Sequence, residues 1–300
     1  MYIETFKVFC DLAETGSFSK AAELNAVSQS AVSQQIRALE TRYEVRLVER
    51  GRRNFSLTPE GIAFLAASRE ILGVYNHLGA RLHELRNVVA GQLRIASIYS
   101  IGLHELPPRL KVFKQNHPEI EVRVDYRRSS QIYGLVLNGE ADLGLVAYPA
   151  KRAGLQVELF DEDELVVICH PDHPLAQRKR VALKDLDGEK FISFEPDLPT
   201  RKVIDRHLRE EAVEIVRTME FDNIETVKRA VAIESGVSIV PSSTVLQEVR
   251  SGALVSVLLD SPRLCRPLGV ITRRNRQHSP AQKAFLAALS ATHPAGAAPF

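Results

Sequence analysis

Apolar residues recur along the first ninety positions at helical rather than strand spacing. Ile3, Phe6, Phe9 or Cys10, and Ala13 mark one amphipathic helix over residues 2–15. Phe18, Ala21, Ala22 and Leu24 mark a short second helix, with Ser17 positioned to cap it by accepting an orphan N–H. Val32, Ile36 and Leu39 mark a third, starting near Ser28. The period then shortens: Val45–Thr58 reads as two short strands around a Gly51-Arg52-Arg53-Asn54 turn. Thr58-Pro59-Glu60 opens a long helix with a capping hydroxyl, Pro at the first helical position and an acid in the first turn. Along it Phe64, Ser68, Ile71, Tyr75, Leu78, Leu82, Leu85 and Val89 fall alternately four and three apart, a heptad seam narrow enough to require a partner helix.

From residue 91 the pattern alternates strand and helix. Strands are expected at 92–96, 120–126, 141–147, 165–169, 191–194, 215–221, 237–240, 254–258 and 268–272, and helices at 107–116, 130–138, 200–211, 224–235, 243–250 and 280–292. Such alternation predicts mostly parallel sheets with helices on both faces. A change near 160–165 divides it into two α/β lobes around a cleft, with 268–300 returning to the first. The expected fold is therefore α/β with an N-terminal all-α winged helix-turn-helix, a linker helix and a two-lobed α/β domain of the periplasmic-binding-protein type. Its parts are 1–58, 59–90 and 91–300, with lobe I at 91–161 plus 268–300 and lobe II at 162–267. The Ala- and Pro-rich tail 294–300 reads as disordered.

Composition narrows the function. The chain has 300 residues, 45% of them hydrophobic, and a net charge of only +2, so any basic surface must be local. It is: residues 28–53 hold six Arg against three Glu, whereas residues 1–27 are net acidic. The outward face of the third helix (Gln29, Ser30, Ser33, Gln34 and Arg37) offers amide, hydroxyl and guanidinium groups suited to base edges and phosphates. Beside a hairpin tipped by Arg52 and Arg53 this is the layout of a winged DNA reader, the helix in the major groove and the tip on a phosphate or in the minor groove. Three dispersed cysteines argue against a disulfide framework, and no leader or membrane-length apolar run is present, so a cytoplasmic protein without membrane attachment is expected.

These features, with the run from Phe6 to Glu40, LTPEG at 57–61, PxxLxxFxxxHPE at 107–119, GExDLGL at 139–145 and HPDHPLA at 170–176, make the chain resemble a LysR-type transcriptional regulator over nearly its whole length. One departure is Leu47-Val48-Glu49-Arg50, where relatives usually carry Leu-Phe-x-Arg. Another is Gln34, often Arg in relatives, which shifts the expected base preference towards adenine. The resemblance implies groove contacts from Gln29, Ser30, Ser33 and Gln34, a wing carrying Arg52 or Arg53, and a homotetramer built as a dimer of dimers on double-stranded DNA of imperfect two-fold symmetry. The dimer seam would use Ile71, Tyr75, Leu78, Leu82 and Leu85, and RNA polymerase is a candidate partner. A small-molecule co-inducer would bind between the lobes, and no other cofactor is called for.

In such sheets ligands sit beyond strand carboxyl ends and at helix N-termini, where free N–H groups favour anions. Ser97 and Ser100, Arg128-Ser129-Ser130, and Pro199-Thr200-Arg201 satisfy this, and hydroxyls with Arg point to a small carboxylate, sulfate or phosphate; the resemblance implies that Ser100, Ser129 and Thr200 lie closest to the effector, with Tyr148 and Asn223 as weaker additions. Ordinary helix capping would use the same Ser and Thr residues. Catalysis has little support: GxSxG, Walker and GxGxxG motifs are missing, Asp161–Glu164 reads as a solvated acidic loop, and Cys169, His170 and His173 lie in a proline-rich turn rather than a metal site. The rival reading is a cytoplasmic solute-binding sensor without base-specific DNA readout, which the attached helix-turn-helix counts against.

Overall fold

A computed structural model of the chain describes residues 2–50, 55–84, 91–260 and 264–291. It divides into two compact units, one built from the first ninety-one residues and the other from most of the rest.

In the N-terminal unit, α1 (Ile3–Thr15), α2 (Phe18–Leu24) and α3 (Gln29–Tyr43) form where the spacing predicts. The expected Ser17 cap is made, accepting from the Lys20 N–H (3.4 Å), and Ser28, at the expected start of α3, accepts from the Ala31 N–H (3.1 Å). Phe9, Leu12, Ala21, Val32, Ile36 and Leu39 are buried together. The strands β1 (Val48–Arg50) and β2 (Phe55–Leu57) pair antiparallel, with Glu49 opposite Ser56. Residues 51–54, hence Arg52 and Arg53, lie outside the described residues.

Helix α4 (Pro59–Glu84) starts at the expected hydroxyl: Thr58 Oγ1 accepts from the Gly61 N–H (2.9 Å) and donates to Arg46 O (2.6 Å). The heptad seam splits into two roles. Phe64 packs against Phe6, Phe9 and Tyr43, with ring centroids 5.1–5.9 Å away, so the first turns belong to the unit's own core. Ser68 is buried and donates to Phe64 O. Beyond it Ile71, Tyr75 and Leu78 are 40%, 54% and 55% exposed, joined by Val74, which the heptad spacing does not include. Leu85, Val89 and the side chain of Leu82 are outside the described set.

The second unit runs β3 (Gly91–Ser97), a π-turn (Ile101–Glu105), α5 (Leu106–Asn116), β4 (Ile120–Tyr126), α6 (Ser129–Leu137), β5 (Leu143–Ala147), β6 (Leu155–Cys169), β7 (Arg180–Val181), β8 (Lys190–Phe194), α7 (Pro199–Glu210), β9 (Val216–Phe221), α8 (Ile224–Ala232), β10 (Ser238–Pro241), α9 (Leu246–Ser251), β11 (Val255–Leu259), β12 (Cys265–Arg273) and α10 (Pro280–Ala291). Strand order in the main sheet is β4-β3-β5-β12-β6-β11-β7, with β10 also on β6. The expectation of mostly parallel sheets fails at the centre. β12 lies antiparallel to β5 and β6, and β10 and β11 lie antiparallel to β6. Parallel pairing survives in β3 with β5, β8 with β9, and β11 with β7. β6 is long and serves two cores, with Leu155 in one and residues 165–169 in the other. One apolar cluster gathers Ala96, Ile132, Val136, Val146 and Ile271; another gathers residues from Leu165 to Leu264.

The acidic run 161–164 is likewise not a solvated loop. It lies within β6, and the strand's alternation buries Asp163 while exposing Glu162 and Glu164. Asp161 accepts from Arg109, itself buried beside Glu105. Spaced acids beside an unseen cation read as surface in a sequence; here the cations come from other elements.

Candidate functional site

The helix offered for DNA reading is supported from behind by Val32, Ile36 and Leu39, leaving Gln29, Ser30, Gln34 and Arg37 exposed and Ser33 half-buried. The Ser30 hydroxyl lies 2.9 Å from that of Ser28, so the N-terminal turn is fixed by its own side chains.

In the second unit a cleft enclosing about 670 Å³, its open mouth included, is lined by Ser100, Arg127, Arg128, Ser129, Thr200, Asp222, Asn223 and Arg266 among others. Four of the eight residues expected there line it: Ser100, Ser129, Thr200 and Asn223. Each stands at the start of a helical segment. Ser100 precedes the π-turn, Ser129 opens α6, Thr200 lies in the first turn of α7, and Asn223 caps α8 by accepting from the Thr226 N–H (3.0 Å). Gly102 allows the first of these approaches, since a Cβ there would stand 2.4 Å from a Tyr126 ring carbon.

The other four do not line it. Ser97 is buried, its hydroxyl donating to Ile98 O, and Ser130 points to the exposed side of α6. Tyr148 donates to Cys265 O (3.5 Å), and burial, eased by Arg266 and reinforced by Asp163, pushes its phenol up to about 12. Arg201 is the clear misreading. Its guanidinium is buried, donates to Phe194 O, and pairs with Asp205 (2.7 Å) and Glu220 (2.8 Å). It ties α7 to β8 and β9 instead of facing a ligand. The i,i+4 spacing of Arg201 and Asp205 was a readable signal for this.

Charged residues shape the cleft, among them Arg128, which stands beside Ser129 as expected, and Arg266, which no sequence pattern marked. Arg128 meets Glu195 (3.0 Å), Asp222 (3.0 Å) and Asp197 (3.7 Å) at the mouth. Its hydrogen bond to Asp222, then the charge of Glu195, raise its pKa further, while Asn223 and then Arg128 hold Asp222 below the usual carboxylate range. At the floor, Arg266 on β12 lies directly across from Asp163 on β6, with Nη2 3.1 Å from Oδ2. Arg266 Nη1 donates to Ser100 Oγ (2.8 Å). Asp163 also accepts from the Ser242 hydroxyl (3.0 Å), the Ser243 N–H (3.4 Å) and the Ser243 hydroxyl (2.5 Å). A polar chain thus crosses the floor from Ser100 to the turn at 242–245.

Elsewhere, His170, Asp172 and Glu234 place potential ligand atoms within 4.8 Å of one another. His170 Nδ1, the ring nitrogen facing both acids, already accepts the Asp172 N–H, and both acids are exposed. That arrangement is a turn held by its own hydrogen bonds.

A helix-turn-helix with an acid-poor reading face, together with a separate domain whose cleft gathers helix N-termini, defines a ligand-responsive DNA-binding regulator. The family model for bacterial regulatory helix-turn-helix proteins of the lysR family matches residues 3–62, and that for the LysR substrate binding domain matches residues 86–293. The chain belongs to the LysR family of transcriptional regulators. It is 32% identical over 297 residues, 95% of each chain, to a probable RuBisCO transcriptional regulator of Chlorokybus atmophyticus. A full-length OxyR variant from Pseudomonas aeruginosa superposes with a TM-score of 0.76 at 21% identity, covering 97% of this chain and 98% of that one, a likeness of fold. The regulatory domain of Synechocystis CcmR in complex with 2-PG superposes with a TM-score of 0.61 at 29% identity, covering 67% of this chain and 96% of that one. Among the described residues no helix is long and apolar enough to cross a membrane.

Proposed function

We propose that this regulator binds operator DNA as a homotetramer, a dimer of dimers, and that a small acid entering the cleft of the second unit changes the spacing of its DNA-reading heads. The observation that carries the reading is the convergence of four helical N-termini, at Ser100, Ser129, Thr200 and Asn223, on one cleft that also holds Arg127, Arg128 and Arg266. Free N–H groups and guanidinium groups together favour an anion, and a ligand shifts a regulator only by the difference in its affinity for two arrangements. A phosphorylated carboxylate fits this chemistry, which the CcmR complex with 2-PG supports, and the RuBisCO-regulator relatives support a role in carbon fixation.

The reading keeps the divisions 1–58, 59–90 and 91–300, with the lobes changing over at 161/162 and 267/268. Gln29, Ser30, Ser33, Gln34 and Arg37 contact the groove, Arg52 and Arg53 the backbone or minor groove, and Ile71, Tyr75, Leu78, Leu82 and Leu85 a partner helix. The protein works in the cytoplasm as a regulator rather than as an enzyme, with RNA polymerase as a further partner. Footprinting of the operator with and without 2-phosphoglycolate, glycolate and phosphate tests it: protection and bending should change with at least one acid, and identical patterns with all three sink the ligand mechanism. In the same assay Gln29→Ala should lose roughly 1–3 kcal/mol of discrimination between operator and mismatched DNA.

A further inference from the structure

The guanidinium groups at the cleft and behind its wall differ in their surroundings: Arg127 and Arg128 are exposed, Arg127 donating to Tyr126 O, whereas Arg201 and Arg266 are buried. Arg128 faces three carboxylates, and its own surroundings are therefore net negative. Arg201 faces two and is turned away from the cleft. Arg266 faces one, Asp163, and that carboxylate divides its lone pairs among Ser242, two donors of Ser243 and the guanidinium. Of these two buried guanidinium groups Arg266 is therefore the less neutralised, although it is the more buried, at 2% exposure against 6% for Arg201.

Its hydrogen bonding is also incomplete. Nη1 is used by Ser100 and Nη2 by Asp163, while Nε is buried with no partner among the described residues. An unmet donor on a buried cation is costly, and native interiors keep few of them. Ser100 receives a hydrogen bond from Arg266 and lines the cleft, so its own proton is available to an acceptor on the open side.

We propose that Arg266, held by Asp163, is the specificity-determining cation of this cleft, and that the effector is an oxyanion, a carboxylate or a phosphate, seated on the Ser100 hydroxyl and the Arg266 guanidinium. The inference rests on the reading that the cleft takes a small acid, and it names the group that selects that acid. The entering oxyanion supplies the missing acceptor, drawing the guanidinium toward the cleft. Because the same guanidinium bonds Ser100 ahead of the π-turn and Asp163 beneath the 242–245 turn, seating the anion pulls on both sides of the floor at once.

The test is calorimetric titration of the full-length protein with 2-phosphoglycolate, glycolate and inorganic phosphate. Asp163→Asn keeps the shape and removes the competing charge, so binding of the preferred acid should tighten about tenfold, a change that a merely structural role would not produce. The double variant Asp163→Leu with Arg266→Met replaces the buried pair by apolar groups of similar bulk and should remain folded in thermal unfolding. It should lose at least thirtyfold in affinity. The arm most affected tells whether a carboxylate or a phosphate occupies the seat, and either supports the inference. A double variant that binds as tightly as the unmodified protein, or an Asp163→Asn variant that binds no more tightly, overturns it. An unmodified protein that binds none of the three acids overturns the small-acid reading, and this inference with it.

Discussion

Replacing Gly61 by Ala should damage DNA reading without touching a residue that faces DNA. A Cβ on Gly61 would lie 2.0 Å from the Leu47 carbonyl oxygen and 3.0 Å from its carbon. Ordinary carbon–oxygen contact needs more than a further ångström, and the obstacle is backbone, which no rotamer change relieves. That carbonyl also accepts the Thr58 N–H (3.2 Å), and Thr58 in turn holds Arg46 O and caps α4. The displacement is therefore transmitted to the start of β1 and so to the wing. Overpacking of this kind costs about 1–3 kcal/mol. For a unit of this size that corresponds to roughly 4–8 °C of melting temperature per kcal/mol. Scanning calorimetry of the full-length protein should show the N-terminal unit's transition falling by at least about 4 °C, with operator affinity reduced in gel-shift titration. Gly134→Ala in α6, where a Cβ meets nothing within 4 Å, is the control and should be neutral or stabilising by up to about 1 kcal/mol. If Gly61→Ala left both melting and operator affinity unchanged, the close approach of α4 to the residue before β1 would be refuted.

Two further outcomes follow from the same geometry. Leu78→Glu combined with Leu82→Glu should give monomers in analytical ultracentrifugation, since the exposed apolar stripe from Ile71 to Leu78 is what a partner helix would cover; an unchanged assembly would remove that stripe from the interface. Glu225 is partly desolvated, which raises its pKa, but hydrogen bonds with Lys228 and then His104 outweigh this and hold it below its usual 4.5. Its stabilising contribution is therefore present above pH 4.5 and is lost as pH falls through the lower folded-state value. Glu225→Gln should flatten that part of the acid unfolding profile, and a profile that keeps its full steepness would show that the carboxylate is not the titrating group.

Legibility in the sequence followed the range of the interactions. The three N-terminal helices, the Ser17 cap, the helix start at Ser28 and the Thr58 start of α4 depend on neighbours within four residues, so spacing and cap chemistry sufficed. The floor of the cleft did not have that property. Asp163 and Arg266 stand 103 positions apart, and nothing near either marks the other. The acidic run around Asp163 looked like surface for that reason. The long heptad concealed a different limit, because Phe64 and Ile71 obey the same spacing while one packs inside its own unit and the other faces outward. Helix N-termini do gather at the cleft, yet Arg201 shows that position on a helix does not give the direction of a long side chain when carboxylates on its own helix and on β9 compete for it.

The pairing of β6 with β12 has a register shift between Leu268 and Gly269, so that Phe160 is passed over opposite them. Beyond this bulge the faces of β6 are set by counting in twos, which puts Asp163 inside and its acidic neighbours outside. Losing or gaining one residue just beyond the bulge, at 161, would reverse the side chains from there up to Cys169. Glu162 or Glu164 would then meet Arg266, and Val166 and Ile168 would exchange faces with Leu165 and Val167. The segment should thus accept many substitutions and almost no change of length, so that lineages of this regulator would vary in the letters of this strand while keeping its count fixed.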